Sequence, residues 1–395
     1  MSRLPPAAAA VAVTAVGMLP VYLLGGLAVQ VRAEFDLGRT GLGVLVSAFF
    51  VGAAAGSLLG GRTADRLGPL PVMRVGAWVG ALALLGVAVA PGPVLLGTAL
   101  VVAGAASGVG QPASNALIAT AVAAHRRGTA YGAKQAAIPA GVLLGGLAGP
   151  VFGLTVGWRW AYVSAAVLAL AVPLVLPASA PPADPGPQEG VTPSTRAAGP
   201  YRLAPLAVLA IGTTLGAGVG NSFGAFVVDS AVAAGQRSDT AGLVAAAGSA
   251  LGVLSRIGVG VLADRRDGRW LLVVAAMMLA GAPASGLMAL GAAGAVLPAV
   301  ALAYGIGWAW AGLLNHAVTL SHPVDAGRAT GVTQSGVAIG GALGPLGFGR
   351  LADASSLAVA WTVAGVFAVL AAGAIVAGRA LLLRDRMTAG APGGL

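Results

Sequence analysis

The chain has 395 residues, 57% of them hydrophobic and only 9% charged, against about 25% charged in a soluble globular domain. Its formal charge of +10 would turn a soluble protein toward nucleic acid, but a composition this apolar makes lipid the solvent and leaves charge placement to set orientation. Cysteine is absent, which excludes a disulfide, a thiolate nucleophile and a cysteine metal site.

A bilayer core of about 30 Å takes about 20 apolar residues per helical crossing. Twelve such stretches recur between breaks of Gly, Pro and charge: 7–31, 40–61, 72–90, 94–122, 128–153, 159–177, 203–228, 240–262, 270–290, 295–320, 329–349 and 356–378. The expected fold is an all-α membrane protein of twelve transmembrane helices. The first stretch is too long for a cleaved signal peptide and is expected to stay.

In the second stretch Gly52, Gly56 and Gly60 recur every four residues, a spacing that lets helices approach closely in lipid. It runs into the turn Gly61-Arg-Thr-Ala-Asp65-Arg66-Leu-Gly68. Gln111 and Asn115 lie in the fourth stretch. The fifth opens on Gly132-Ala-Lys134-Gln135 and continues through Gly141, Gly145, Gly149-Pro150 and Gly153. Residues 177–200 are rich in Pro and small polar groups, which rules out a packed element. The expected organisation is an N-terminal six-helix bundle over 1–177, a cytoplasmic linker over 178–202 and a C-terminal six-helix bundle over 203–395.

The seventh stretch carries Asn221 and Ser222, with Asp229 at its outer end. The eighth carries Gly248, Gly252 and Arg256 and ends on Gly260-Val-Leu-Ala-Asp264-Arg265. In the tenth lie Tyr304, Trp308, Asn315 and His316; in the eleventh, Gly331-Val-Thr-Gln334 and Gly336, Gly340 and Gly344-Pro345.

The Asp-Arg turns and the two Gly-x-x-Gln segments repeat at one offset of 199 residues. A shared offset at two distant places indicates duplication, and parallel repeats are one way to build a transporter with its site between the halves. Fifteen of 22 basic residues fall in alternate loops and ends on one side, and five on the other. The positive-inside rule then puts both termini in the cytoplasm, with the chain in the cytoplasmic membrane.

The remaining two, Lys134 and Arg256, lie inside spans, where an ionisable group costs roughly 2.5–3.5 kcal/mol on insertion scales and usually faces the bundle interior or a wet cavity. All twelve acids fall in loops or near helix ends. Two buried cations without an internal counter-ion point to an anionic substrate. The candidate binding set is Lys134 and Arg256 with Gln135, Gln334, Tyr22, Gln111, Asn115, Asn221, Tyr304 and Trp308. The alternative for the two cations is snorkelling toward the headgroups. His316 and Asp229 are candidates for proton coupling, against a structural reading for each.

The loop Gly61-x-x-x-Asp65-Arg66-x-Gly68, with its weaker copy at Gly260, Asp264 and Arg265, resembles the signature loop of the major facilitator superfamily. The resemblance implies two pseudo-symmetric six-helix bundles. It implies that Gly61, Asp65, Arg66, Gly68, Asp264 and Arg265 gate the pathway, each Asp contacting helix ends of its own half. It also implies that the glycine-lined helices 2, 5, 8 and 11 lie beside the boundary between the halves, where small residues suit sliding. Arg256 resembles the substrate arginine of the monocarboxylate and oxalate branches. The Gly132-Ala-Lys134-Gln135 segment is similar to one in cyanate and nitroimidazole permease-like facilitators. The expected function is secondary transport of a small organic anion by a single chain in contact with membrane lipid, without cofactor, metal or nucleic acid.

The alternative is a proton-coupled exporter of drugs or other hydrophobic compounds. Gly145, Gly149-Pro150 and Gly153 resemble part of the antiporter motif, with Ala136 and Leu154 where glycines are expected; no embedded carboxylate supports that reading. His125, His316 and His322 form no catalytic constellation, so an enzyme is not expected.

Overall fold

The computed structural model describes residues 4–179 and 203–388, which contain helices and no strand. The expected linker, apart from its first two residues, and Arg3, Arg196 and Arg202 lie outside the described residues.

The N-terminal half holds α1 (Pro6–Gly26), α2 (Arg39–Leu67), α3 (Pro69–Ala88), α4 (Pro93–Ala121), α5 (Arg127–Ala148) and α6 (Trp158–Val175). A short helix, Ala28–Phe35, follows α1. The C-terminal half holds α7 (Leu203–Ala233), α8 (Ser238–Arg265), α9 (Trp270–Ala289), α10 (Ala293–Ser321), α11 (Ala326–Ala354) and α12 (Leu357–Thr388).

Eleven of the helices are long and apolar enough to cross a membrane, and α11 is not among them. Its 29 residues would reach about 43 Å at 1.5 Å per residue, so composition sets it apart, not length. Thr330, Thr333, Gln334 and Ser335 lower its hydropathy, yet all four are buried among neighbouring helices.

Local chemistry explains where the helices start and stop. Proline occupies the first turn of α1, α3 and α4, where its missing N–H leaves no bond unmade. Gly68, the last residue of the Asp-Arg turn, has φ 85°, a conformation costly for other residues, and Pro69 opens α3 directly behind it. Two expected helices are interrupted. A wide turn over Gly149–Gly153 ends α5, and another over Ala303–Gly307 breaks α10 before Ala311.

The glycine lines do not face the boundary between the halves. A Cβ on Gly52 or Gly56 would strike the backbone of Val101 or Ala105 on α4, and one on Gly60 would strike Val109. Gly141 and Gly145 press on Tyr22 of α1, Gly248 on Val300 and Tyr304 of α10, and Gly340 and Gly344 on Thr214 and Gly218 of α7. These stripes build each bundle internally. Different glycines meet across the boundary: Gly61 with Gly327, Gly128 with Gly260, Gly132 with Arg256, Gly331 with Ser57 and Gly341 with Phe50.

Arg159, at the start of α6, clamps the N-terminal half. Its guanidinium donates to the carbonyls of Ala88 (2.7 Å) and Ala90 (2.9 Å) behind α3 and to Glu34 (2.5 Å), and lies 4.6 Å from the Trp158 ring. Burial raises the Glu34 carboxyl, but bonds from the Trp158 indole and Arg159 outweigh it and hold the group below its ordinary value. Glu34's contribution is therefore full above the ordinary carboxylate range and fades as pH falls through the lowered value. Arg159→Ala is expected to cost about 1–2 kcal/mol because it strips partners from two carbonyls and a carboxylate. Thermal unfolding in detergent should record this as a fall in midpoint that Arg159→Lys recovers only in part.

Candidate functional site

At the end of the molecule carrying the two Asp-Arg turns, the halves are latched together twice. The Asp65 carboxylate accepts from the backbone N–H of Gly327 (2.9 Å) and Arg328 (2.7 Å), in the first turn of α11. The Asp264 carboxylate accepts from Gly128 (2.6 Å) and Thr129 (2.7 Å), at the start of α5. A helix N-terminus offers unbonded N–H groups and the positive end of its dipole, which is what a carboxylate binds. Each Asp reaches into the opposite half, not its own, which corrects the expectation drawn from the signature loop.

The two latches are copies: Asp65, Gly61 and Gly128 recur 199 residues on as Asp264, Gly260 and Gly327, and the fourth position donates only its backbone N–H, from Thr129 in one latch and Arg328 in the other. Gly61, Gly128, Gly260 and Gly327 allow the approach, since a Cβ at Gly61 or Gly260 would collide with the carbonyl of Gly327 or Gly128. Arg66 and Arg265 are exposed beside the latches. Deeper in, the hydroxyls of Tyr131 on α5 and Thr319 on α10 lie 3.0 Å apart across the boundary, both buried.

Beyond this closed end a cavity of about 710 Å³, counting space open to solvent, lies between the halves. It is lined from α1 (Tyr22), α2 (Phe49, Phe50), α4 (Gln111), α5 (Gln135), α7 (Asn221), α8 (Arg256), α10 (Trp308, Trp310) and α11 (Gln334), among others. Among the described residues, Arg256 is the one lining residue charged at neutral pH, and no carboxylate lines the wall. Its guanidinium donates to the carbonyls of Trp308 (2.7 Å) and Gly252 (3.1 Å) and sits 5.1 Å from the Trp308 ring centre. Its Nε is buried without a partner. The break in α10 aims the Trp308 carbonyl at the guanidinium, and a Cβ on Gly252 would lie 3.0 Å from Nη1.

Seven of the ten candidate binding residues line this cavity: Tyr22, Gln111, Gln135, Asn221, Arg256, Trp308 and Gln334. Lys134, Asn115 and Tyr304 do not. Lys134 is 0% exposed, and its Nζ donates to the Gln111 carbonyl (3.0 Å) and to Asn115 Oδ1 (2.6 Å). It therefore points between α5 and α4 within its own half, and neither shares the cavity with Arg256 nor snorkels to the headgroups. Asn115 is fully buried beside it, and Tyr304 packs edge-on against Trp308.

The other candidates lie apart from the cavity. His316 is buried, with its ring centre 6.0 Å from that of Tyr131 and 6.5 Å from that of Trp270. Asp229 is exposed near the far end of α7. The sequence reading missed the apolar wall of Phe49, Phe50 and Trp310, because an aromatic in a span carries no mark of which neighbour it meets.

Residues 10–345 match the family model of the Major Facilitator Superfamily. An uncharacterized MFS-type transporter of Mycobacterium tuberculosis is 32% identical over 118 residues, which is 30% of this chain and 20% of that protein's length. Among solved structures, the proton:xylose symporter XylE bound to 6-bromo-6-deoxy-D-glucose superposes with a TM-score of 0.73 at 18% identity, over 93% of this chain and 94% of that one. The human organic anion transporter MFSD10 gives 0.72 at 19% identity over 94% and 100% of the two chains. FucP in the outward conformation gives 0.68 at 16% over 94% and 98%. With the family model covering most of its length and its helices folded as in those transporters, the chain belongs to the Major Facilitator Superfamily.

Proposed function

We propose that this secondary transporter carries a small organic anion, most simply a carboxylate, bound at Arg256 in the cavity between the halves. The observation that carries this reading is a buried guanidinium in the cavity wall with carbonyl partners, an unpartnered Nε and no acid beside it. A carboxylate entering from solvent supplies the missing charge, and an arginine fork suits its geometry. Gln111, Gln135, Asn221, Gln334 and Tyr22 add neutral polar groups around the same space.

The arginine bias makes the latched end cytoplasmic, with both termini on that side, and the cavity then opens outward. In this reading the bundles 1–177 and 203–395 rock about the cavity, and the Asp65 and Asp264 latches hold the outward-facing state.

The test is uptake and counterflow in proteoliposomes with a panel of radiolabelled carboxylates, other anions and cationic drugs. A carboxylate is expected to exchange, and Arg256→Ala to weaken its uptake about 10- to 100-fold, the size of a lost charge-assisted interaction. Movement of cationic drugs alone, unchanged in Arg256→Ala, would overturn the anion and favour the exporter.

A further inference from the structure

Lys134 is the only lysine in the chain; every other basic residue among the 22 is arginine. Arginine stays protonated in proteins, whereas lysine changes state readily when buried. The single exception to arginine thus falls at a fully buried position in the middle of the fold.

Its surroundings suit either state. The Nζ meets two oxygens, the Gln111 carbonyl and Asn115 Oδ1, with no carboxylate among its hydrogen-bond partners. The other end of the Asn115 amide, Nδ2, is buried and has no partner. As placed, Asn115 accepts from an ammonium; turned over, it donates Nδ2–H to the lone pair of a neutral amine. Asn and Lys together form a pair that is hydrogen-bonded in both protonation states.

The elements packed against α5 carry the following titratable groups, besides His125 and Arg126 in the short turn just before it. Among the elements packed against α5, α4 has no titratable side chain, and α1 contributes Tyr22. On α8 there are Arg256 in the cavity wall, Asp264 and Arg265 at the latch, and Asp239 in the first turn. On α10 there are Tyr304 and His316, and on α5 itself Arg127 and Tyr131. Asp264 is held at Gly128 and Thr129, five to six residues before Lys134 and about 8 Å or more along the axis. Lys134 and the cavity communicate through Gln111, whose carbonyl binds Nζ and which itself lines the cavity wall.

We propose that Lys134 takes up and releases the proton coupled to the transport cycle, with Asn115 as its two-way hydrogen-bond partner. The step is a simple proton transfer: an ammonium N–H bond breaks to water, leaving the lone pair on Nζ, and re-forms from water when the closed end opens. The inference takes alternating access from the transporter reading but needs no identified substrate, so its failure is separate from that of the anion assignment.

The single lysine makes the test direct. Protein carrying [ε-¹³C]lysine in lipid nanodiscs gives one side-chain resonance, followed from pH 5 to pH 10. In parallel, nitroxide labels on Arg62→Cys and Asp267→Cys, both exposed at the latched end, report the distance between the halves as pH changes. The resonance is expected to titrate within the scanned range, and the distance distribution to shift with the same midpoint. Lys134→Met and Lys134→Gln are expected to abolish the distance shift while keeping both latched and open distances accessible. The proposal is overturned if the lysine does not titrate over the range in which the halves move, or if the pH-driven shift survives in a folded variant. It is also overturned if the lysine titrates while the halves stay fixed, which is the signature of a purely structural lysine.

Discussion

Replacing Asp65 and Asp264 together by Asn is expected to open the latched end in a large fraction of molecules, read as a longer distance between labels at positions 62 and 267. Each carboxylate accepts two backbone N–H bonds at a helix start in the opposite half. An amide keeps one acceptor oxygen, loses the second and removes the charge that favours the helix terminus. Hydrogen bonds to charged groups contribute about 1.5–3 kcal/mol each, so the double variant loses on the order of 3 kcal/mol or more from the latched state. That corresponds to at least about 100-fold in the ratio of latched to open molecules at 1.4 kcal/mol per tenfold. The duplicated geometry adds a stricter expectation: either single variant should lose about half of that free energy, a change of about 10-fold in the ratio of latched to open molecules. One variant with the full effect and the other with none would contradict a pair of equivalent latches.

The largest loss of stability is expected at the glycines buried inside each bundle. A Cβ on Gly104 would overlap the Phe49 carbonyl, and one on Gly340 the Thr214 carbonyl. Both obstacles are backbone, so no side chain can rotate away and the helices themselves must part. Gly104→Val and Gly340→Val are expected to cost at least the roughly 1–3 kcal/mol of ordinary overpacking and to cut the yield of monodisperse protein in detergent. Gly146→Ala and Gly373→Ala are the controls, for a Cβ there meets nothing within 4 Å. Gly61→Val separates the two classes of glycine: it should leave each bundle stable and drive the halves apart at the latched end. Comparable melting of the Gly104 and Gly146 variants by thermal unfolding would refute the packing assignment.

Most helices were legible because lipid imposes a length and a composition on every crossing. α12 runs ten residues beyond its apolar stretch, since Arg379, Arg384 and Asp385 carry the helix past the hydrophobic window. The 199-residue offset marked both Asp-Arg turns but not the half each carboxylate would reach. Which half an Asp reaches depends on how two bundles sit together, and no local pattern encodes that. Glycine spacing likewise marked a close-packed face of each helix without naming the partner.

Lys134 and Arg256 stand at similar depths in the sequence and differ in azimuth. Lys134 turns toward α4, while the break at Ala303–Gly307 shapes a cradle for Arg256 in the cavity. That break has little warning beyond Gly305 and Gly307. That Lys134 is the single lysine among the 22 basic residues is, by contrast, visible in the sequence itself.

Alternating access about the Arg256 cavity is tested most directly by thiol labelling. The chain has no cysteine, so Asn221→Cys places a single reporter in the cavity wall of sided membrane vesicles. A membrane-impermeant maleimide is expected to react from the face opposite the latches, and from the latched face only when Asp65→Asn and Asp264→Asn are added. Equal labelling from the latched face with both aspartates intact, or no labelling from the opposite face, would contradict the account.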